Sequence, residues 1–255
     1  MITKAWKVNA RLVPLGCLLV ILFLSSPVTP RITAQRDVAE NVPVGTCLGS
    51  FFWDQYNSPA PEPPAGIVSQ QFEAAMAIFD TQAADDFVIA SGYGASYING
   101  VRVMGEYSAG GGPASSFNIY FYQNGAGNLP GALIAAFMNL SYTGTPPDFL
   151  ICLPYPLGVL PGTYWVSVQA RQDSDPNGQW FWNNRTVRSN AGATWQNPGD
   201  GYGTGCLTWN RKSGCMADQI WPDQVFQILG FREGPLPTPK PLPTPRYRPT
   251  PVPRP

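Results

Sequence analysis

Phe117-Asn118-Ile119-Tyr120-Phe121-Tyr122, closed by Gln123-Asn124-Gly125, reads with a period of two. Successive side chains of an extended chain point to opposite faces, so Phe117, Ile119 and Phe121 share one side while Asn118, Tyr120 and Tyr122 share the other. Asn124-Gly125 then supplies turn chemistry. A second stretch follows the turn Pro161-Gly162, with Tyr164, Val166 and Val168 alternating with Trp165, Ser167 and Gln169. Outward from these two lie further short β-rich runs at 87–89, 98–104, 132–140, 149–153 and 225–229. They are separated by Gly110-Gly111-Gly112-Pro113, Pro130-Gly131 and Pro146-Pro147, all breaker signals. Only Phe72 to Phe79 reads otherwise, as a helix or as a strand with a bulge. Short strands at this spacing predict an all-β chain, an antiparallel β-sandwich for which a jelly roll is one arrangement.

Composition agrees with that reading and narrows the chemistry. The 255 residues include 28 Pro and 26 Gly, which favour turns over long helices, and 44% hydrophobic residues, enough for a core. There is no histidine. This rules out Ser-His-Asp and Cys-His nucleophile systems and any His-liganded metal. The formal charge of zero hides an uneven distribution. Residues 35–234 carry 16 acidic against 8 basic side chains, a balance of −8, whereas residues 235–255 carry four basic ones and no acid. An acidic body lacks the clustered Lys and Arg that bind phosphate backbones, so no nucleic-acid partner is expected.

Residues 1–34 read as an export signal. Lys4, Lys7 and Arg11 precede an uncharged run from Leu12 to Leu24, and small residues follow as far as Ala34. The run is shorter than the about 20 residues that span a bilayer. Cys17 precedes the end of that run and does not form a lipoprotein box. No transmembrane anchor is expected in the mature chain, which is read as secreted or displayed at a cell surface. Residues 35–65 form an N-terminal segment with the proline-rich connector Pro59-Ala60-Pro61-Glu62-Pro63-Pro64, and residues 66–234 the sandwich. Residues 235–255, with 10 prolines in 21, form an extended, disordered tail that acts as a spacer.

Loss of the signal leaves Cys47, Cys152, Cys206 and Cys215, an even number that in an exported chain predicts two disulfides. Four cysteines allow three pairings. Cys206 and Cys215 flank a short polar stretch that reads as a hairpin tip, which favours their pairing and, by elimination, Cys47 with Cys152. Without a Cys-x-x-Cys pair, thiol-bound zinc is not expected.

Asp173-Ser174-Asp175-Pro176-Asn177-Gly178 matches the opening of a calcium loop, in which Asp173, Asp175 and Asn177 would bring alternating oxygens to the ion. Position twelve is Asn184, where a bidentate Glu belongs, and the alternative is a polar hairpin turn. Asp85 and Asp86 point to opposite faces of a strand and cannot face each other as an acid/base couple; one of them is expected at a turn or strand end, accepting backbone N–H bonds. A hydrolase would need two carboxylates roughly 5–10 Å apart, for which Glu73 or Glu106 with an Asp are candidates. Lys212 is the one lysine of the body; read as part of an exposed loop, it is not expected to form a Lys–Asn isopeptide bond.

The aromatic side chains give the main binding signal. Trp180, Phe181, Trp182, Trp195, Tyr202, Trp209 and Trp221 fall within 42 residues, among Asn183, Asn184, Arg185, Gln196 and Asn197. Sugar rings stack on exposed indoles while amides and guanidinium groups take their hydroxyls. Trp180, Trp182, Trp195 and Trp209, with Asn197 and Arg185, are therefore the candidate ligand residues, ordinary core packing being the alternative.

Ala84-Asp85-Asp86-Phe87, Phe121-Tyr122-Gln123-Asn124 with Leu129-Pro130-Gly131, and Gly162-Thr163-Tyr164-Trp165-Val166-Ser167-Val168-Gln169 resemble motifs of a family of secreted bacterial β-sandwich modules. So do Gln179-Trp180-Phe181-Trp182, Trp195-Gln196-Asn197-Pro198 and Pro222-Asp223-Gln224-Val225-Phe226, so that the resemblance runs over about 66–230. Modules of this kind are accessory domains, sometimes attached to subtilisin-like peptidases or surface proteins. The resemblance implies a secreted sandwich and no catalytic residues. The expected function is thus non-catalytic extracellular recognition or attachment, with a polysaccharide or cell-surface component as partner. The alternatives are a purely structural surface module and a carboxylate hydrolase.

Overall fold

The computed structural model describes residue 47 and residues 49–61, 66–92, 94–108 and 110–232. The expected export signal, residues 62–65 of the connector and the proline-rich tail lie outside the described residues. Fifteen strands occur in the described part. They are β1 (Ser50–Gln55), β2 (Gly66–Val68), β3 (Gln70–Gln71), β4 (Gln82–Ile89), β5 (Ser96–Tyr107), β6 (Ser116–Asn124), β7 (Pro130–Leu140) and β8 (Tyr142–Thr145). There follow β9 (Asp148–Val159), β10 (Gly162–Arg171), β11 (Trp180–Arg185), β12 (Thr194–Gln196), β13 (Asn210–Arg211), β14 (Asp223–Gln224) and β15 (Phe226–Arg232). Two helical turns, α1 (Ser174–Asn177) and α2 (Lys212–Cys215), and short 3-10 segments complete the set.

The strands form two sheets, almost entirely antiparallel, as the alternation predicts. The first runs β1-β15-β5-β11-β14, with β9 and β8 continuing from β5 and β2 beside β11. The second runs β13-β12-β4-β10-β6-β7, and β3 joins β10 in parallel. β1 lies ahead of residue 66 and pairs with β15, so part of the segment read as a lead-in belongs to the sandwich. Phe72 to Phe79 resolves to the helical alternative, a 3-10 turn over Ala74–Phe79.

Each predicted alternation becomes a two-faced strand. Phe117, Ile119 and Phe121 of β6 and Val166, Val168 and Ala170 of β10 enter one hydrophobic cluster with Val101, Val103, Phe149, Ile151, Phe226 and Ile228 of the first sheet. Phe117 stacks edge-on against Trp180, with ring centroids 5.1 Å apart, and so ties the sheets together. Burying each such ring contributes about 2–3 kcal/mol.

Both expected disulfides are present, Cys47–Cys152 with Cα atoms 5.3 Å apart and Cys206–Cys215 with Cα atoms 5.8 Å apart. The first crosses β5 directly over Gly100, where a Cβ would lie 2.4 Å from Cys47 Sγ. Only glycine leaves room for the bridge there.

Candidate functional site

The polar phases of the two decisive strands converge on the outer face of the second sheet. Tyr120 of β6 stands opposite Ser167 of β10, and Asn118 opposite Gln169. Gln82 of β4 stands opposite Gln196 of β12. Of these, Tyr120, Gln169, Gln82 and Gln196 line a cleft of about 330 Å³ together with Gln71, Asp80, Thr81, Pro198 and Gly199, while Asn118 and Ser167 are buried beneath it. Its geometry is held by a network of amides. Gln169 Oε1 accepts from Asn118 Nδ2 and from the Tyr120 hydroxyl, both at 3.1 Å, while Gln169 Nε2 donates to the Thr81 carbonyl at 2.8 Å. Gln82 Oε1 accepts from Gln196 Nε2 at 2.9 Å and from the Tyr122 hydroxyl at 3.2 Å. Tyr120 and Tyr122 lie nearly parallel, 6.4 Å apart, and half-buried Trp209 closes edge-on against Tyr122 at 5.5 Å.

Asp80 is the one charged side chain lining this cleft. Burial, with a smaller push from the charge of Glu73, holds its carboxyl above the usual range, against the Phe72 N–H that it accepts at 2.8 Å. Burial likewise raises the Tyr120 phenol, so it stays a neutral hydroxyl. Apart from Asp80 the wall is thus uncharged, planar in its amides, and able both to donate and to accept. A second groove of about 400 Å³ lies against the first sheet, lined by Ile67, Glu106, Phe181, Asn183, Asp218 and Gln219 among others.

The sequence-predicted ligand residues fall elsewhere, and three of the four tryptophans are corrected outright. Trp180, Trp182 and Trp195 are fully buried. The Trp182 indole N–H donates to the Val225 carbonyl at 2.9 Å and that of Trp195 to the Val68 carbonyl at 2.8 Å. They pack the space between the sheets, so no sugar ring reaches them. Trp209 alone stays half-exposed. Asn197 is buried, its Nδ2 donating to the carbonyls of Ile78 and Asp80 and its Oδ1 accepting the Tyr202 N–H. It fixes a loop and offers nothing to a ligand. Arg185 is buried in an ion pair with Asp223 at 3.5 Å.

Asp173-Gly178 forms α1 and a tight turn. Gly178 N–H donates to the Ser174 carbonyl, and the Asn177 carbonyl accepts from Gly112 N–H and Gln172 Nε2. The turn is closed by the protein's own donors, and Asp173 and Asp175 point to solvent. Among the described residues no three His, Cys, Asp or Glu side chains converge to hold a metal. Glu73, a hydrolase candidate, instead caps this turn, accepting from Ser174 N–H at 2.8 Å and Ser174 Oγ at 2.7 Å. Those bonds lower its pKa.

A buried polar layer under the same sheet was not anticipated. Asp85 faces inward and Asp86 outward, as strand geometry requires, and both are buried in mid-strand. Asp85 Oδ2 accepts from Gln224 N–H and from Gln55 Nε2, both at 2.7 Å. Asp86 Oδ2 accepts from Ala191 N–H at 3.3 Å. Lys212, expected in an exposed loop, is 2% exposed. Burial raises Asp86 to about 7 and Asp223 to about 6, and pushes Lys212 down to about 7.

The raised carboxylates make a pH prediction. Their unfolded values lie near about 4, so between that pH and about 6–7 the folded chain holds protons that the unfolded chain has released. The stability they confer is present at acid pH and is lost as pH rises through the folded values. Tm is expected to fall by roughly 4–8 °C between pH 5 and pH 7.5, for about 2 kcal/mol of linked stability. Glu73 and Asp148, whose pKa values are lowered, act below this window, while Lys212, pushed down to about 7, opposes the fall in part at its upper end. Calorimetry at fixed ionic strength checks this; a flat or rising Tm would mean that Asp86 and Asp223 stay ionised.

No known family model matches the chain, and no curated protein matches it. Among solved structures, the chain is similar to the cysteine protease and lectin-like domains of Cwp84, a surface layer associated protein of Clostridium difficile, with a TM-score of 0.39 and 10% identity. That similarity covers 60% of this chain and 32% of the other, about a third of its length. A likeness of this size bears on neither the ligand nor the chemistry of the cleft.

Proposed function

We propose that this chain is a secreted, non-catalytic recognition module of the kind its motifs resemble, and that it binds a neutral glycan on the outer face of the second sheet. One observation carries the reading: Tyr120 and the amides of Gln71, Gln82, Gln169 and Gln196 line a single cleft whose only charged side chain is Asp80. Sugar hydroxyls are both donors and acceptors, and side-chain amides match them in both senses. The neighbouring Trp209, half-exposed and packed edge-on over buried Tyr122, gives the rim an aromatic edge on which a pyranose can rest. A charged ligand would meet no complementary side chain except Asp80. Two disulfides fit an oxidising, extracellular setting.

The test is a pull-down of the full chain on cellulose, chitin, xylan and peptidoglycan, followed by titration of whichever is retained. Tyr120→Phe removes a hydroxyl and keeps the ring; Gln196→Ala removes one amide. Each is expected to weaken binding about tenfold, the cost of one good hydrogen bond, with Tm within about 2 °C of the parent. Retention by none of the polymers, or unchanged affinity in both variants, favours a structural module.

A further inference from the structure

Lys212 Nζ lies 2.7 Å from Asn184 Oδ1 inside the sandwich. Both residues are buried, at 2% and 0% exposure. We propose that these two side chains become joined by an intramolecular amide, Lys212 Nζ to Asn184 Cγ, tying the two sheets covalently. Asn184 sits on β11 of the first sheet, whereas Lys212 begins α2, directly after edge strand β13 of the second.

The step balances within the two side chains. The amine lone pair forms the Nζ–Cγ bond, the Cγ–Nδ2 bond breaks with its electrons going to nitrogen, and one amine proton passes to that nitrogen, so that ammonia leaves. No oxidant, cofactor or second substrate is needed. Three features of the site favour it. The amine is held against the amide: the two N–H groups of a free Lys212 amine are matched by the Asp223 carbonyl at 2.9 Å and by Gln224 Oε1, which fixes its reach and leaves the lone pair for Asn184. The leaving nitrogen is held from the other side, Asn184 Nδ2 donating to buried Gln219 Oε1 at 3.0 Å. Exclusion of water keeps the amide from hydrolysing in place of aminolysis.

The protonation state suits attack. Burial favours the free amine at Lys212. The carboxylates whose charge would help Lys212 keep its proton, Asp85 and Asp223, do not outweigh its burial: Asp85 is itself raised well above the usual carboxylate range by burial, and Asp223 is paired with Arg185. Proximity of this kind makes an ordinarily slow aminolysis effectively unimolecular.

Tryptic mapping of the reduced full-length chain tests this. Cleavage at arginine leaves Asn184 in a peptide spanning 172–185 and Lys212 at the start of one spanning 212–232. The expected product is one branched species containing both, lighter than their sum by one ammonia, with fragmentation placing the branch at Asn184 and no cleavage after Lys212. Lys212→Arg keeps a cation and removes the nucleophile, and should release 172–185 as a free peptide. Should that variant fail to fold, the wild-type map still decides. Free 172–185 and cleavage after Lys212 in the wild-type chain would overturn the proposal and leave Lys212 as a buried ammonium.

Discussion

Trp195→Ala is expected to cost about 3–5 kcal/mol and to abolish cooperative folding near physiological temperature. The indole is fully buried, lies 5.9 Å from Tyr202 ring to ring, and donates its N–H to Val68 on β2 of the opposite sheet. Truncation leaves a cavity between the sheets and removes one of two donors to the Val68 carbonyl, which keeps Thr81 Oγ1 at 3.2 Å, so the cavity is the main penalty. Urea denaturation followed by circular dichroism measures the loss. A variant that keeps its midpoint would place this ring outside the core and return it to the candidate ligand surface.

That residue also shows where a sequence reading stops. Alternation is local, so the two faces of β6 and β10 were legible: Phe117, Ile119 and Phe121 do share the core, and Tyr120 and Tyr122 do point away. A period of two says that Trp180 and Trp182 share a face, but not whether that face meets water or the other sheet. The partner strand decides that. Lys212 was misplaced for the same reason. A polar hairpin between two cysteines reads as surface, yet the Lys212 side chain turns into the sandwich, where Asn184, Gln224 and the Asp223 carbonyl supply its polar contacts. These partners lie 11 to 28 residues from Lys212 on other elements, and Gln224 is in turn held by Asp85, 139 residues away, which no local pattern reveals. The cleft was half legible: Asn118, Tyr120 and Gln169 were assigned to the outer phase, but Gln71, Gln82 and Gln196 reach it only through sheet pairing.

The second large effect concerns the disulfides. Removing Cys47–Cys152 by paired Cys→Ala substitution is expected to destabilise the chain by about 4–5 kcal/mol, against about 2–3 kcal/mol for Cys206–Cys215. The difference follows from the loops they close, with sequence separations of 105 and 9. Each cross-link restricts the unfolded chain, and the longer loop restricts it more. Cys47 also fastens the chain ahead of β1, an edge strand of the first sheet, to Cys152 on β9 across Gly100. Denaturant midpoints of the two double variants, compared side by side, check the order. Equal losses would point to strain or residual structure outweighing loop entropy.

The recognition reading turns on one face of one sheet, and hydrogen–deuterium exchange of the full chain with and without the retained polysaccharide reads that face directly. Protection is expected at 118–122, 167–169, 82 and 196, the strands that carry the tyrosine and amide cleft. Protection instead at 66–68, 106, 181–183 and 216–219 would move binding to the groove of the first sheet and contradict the account.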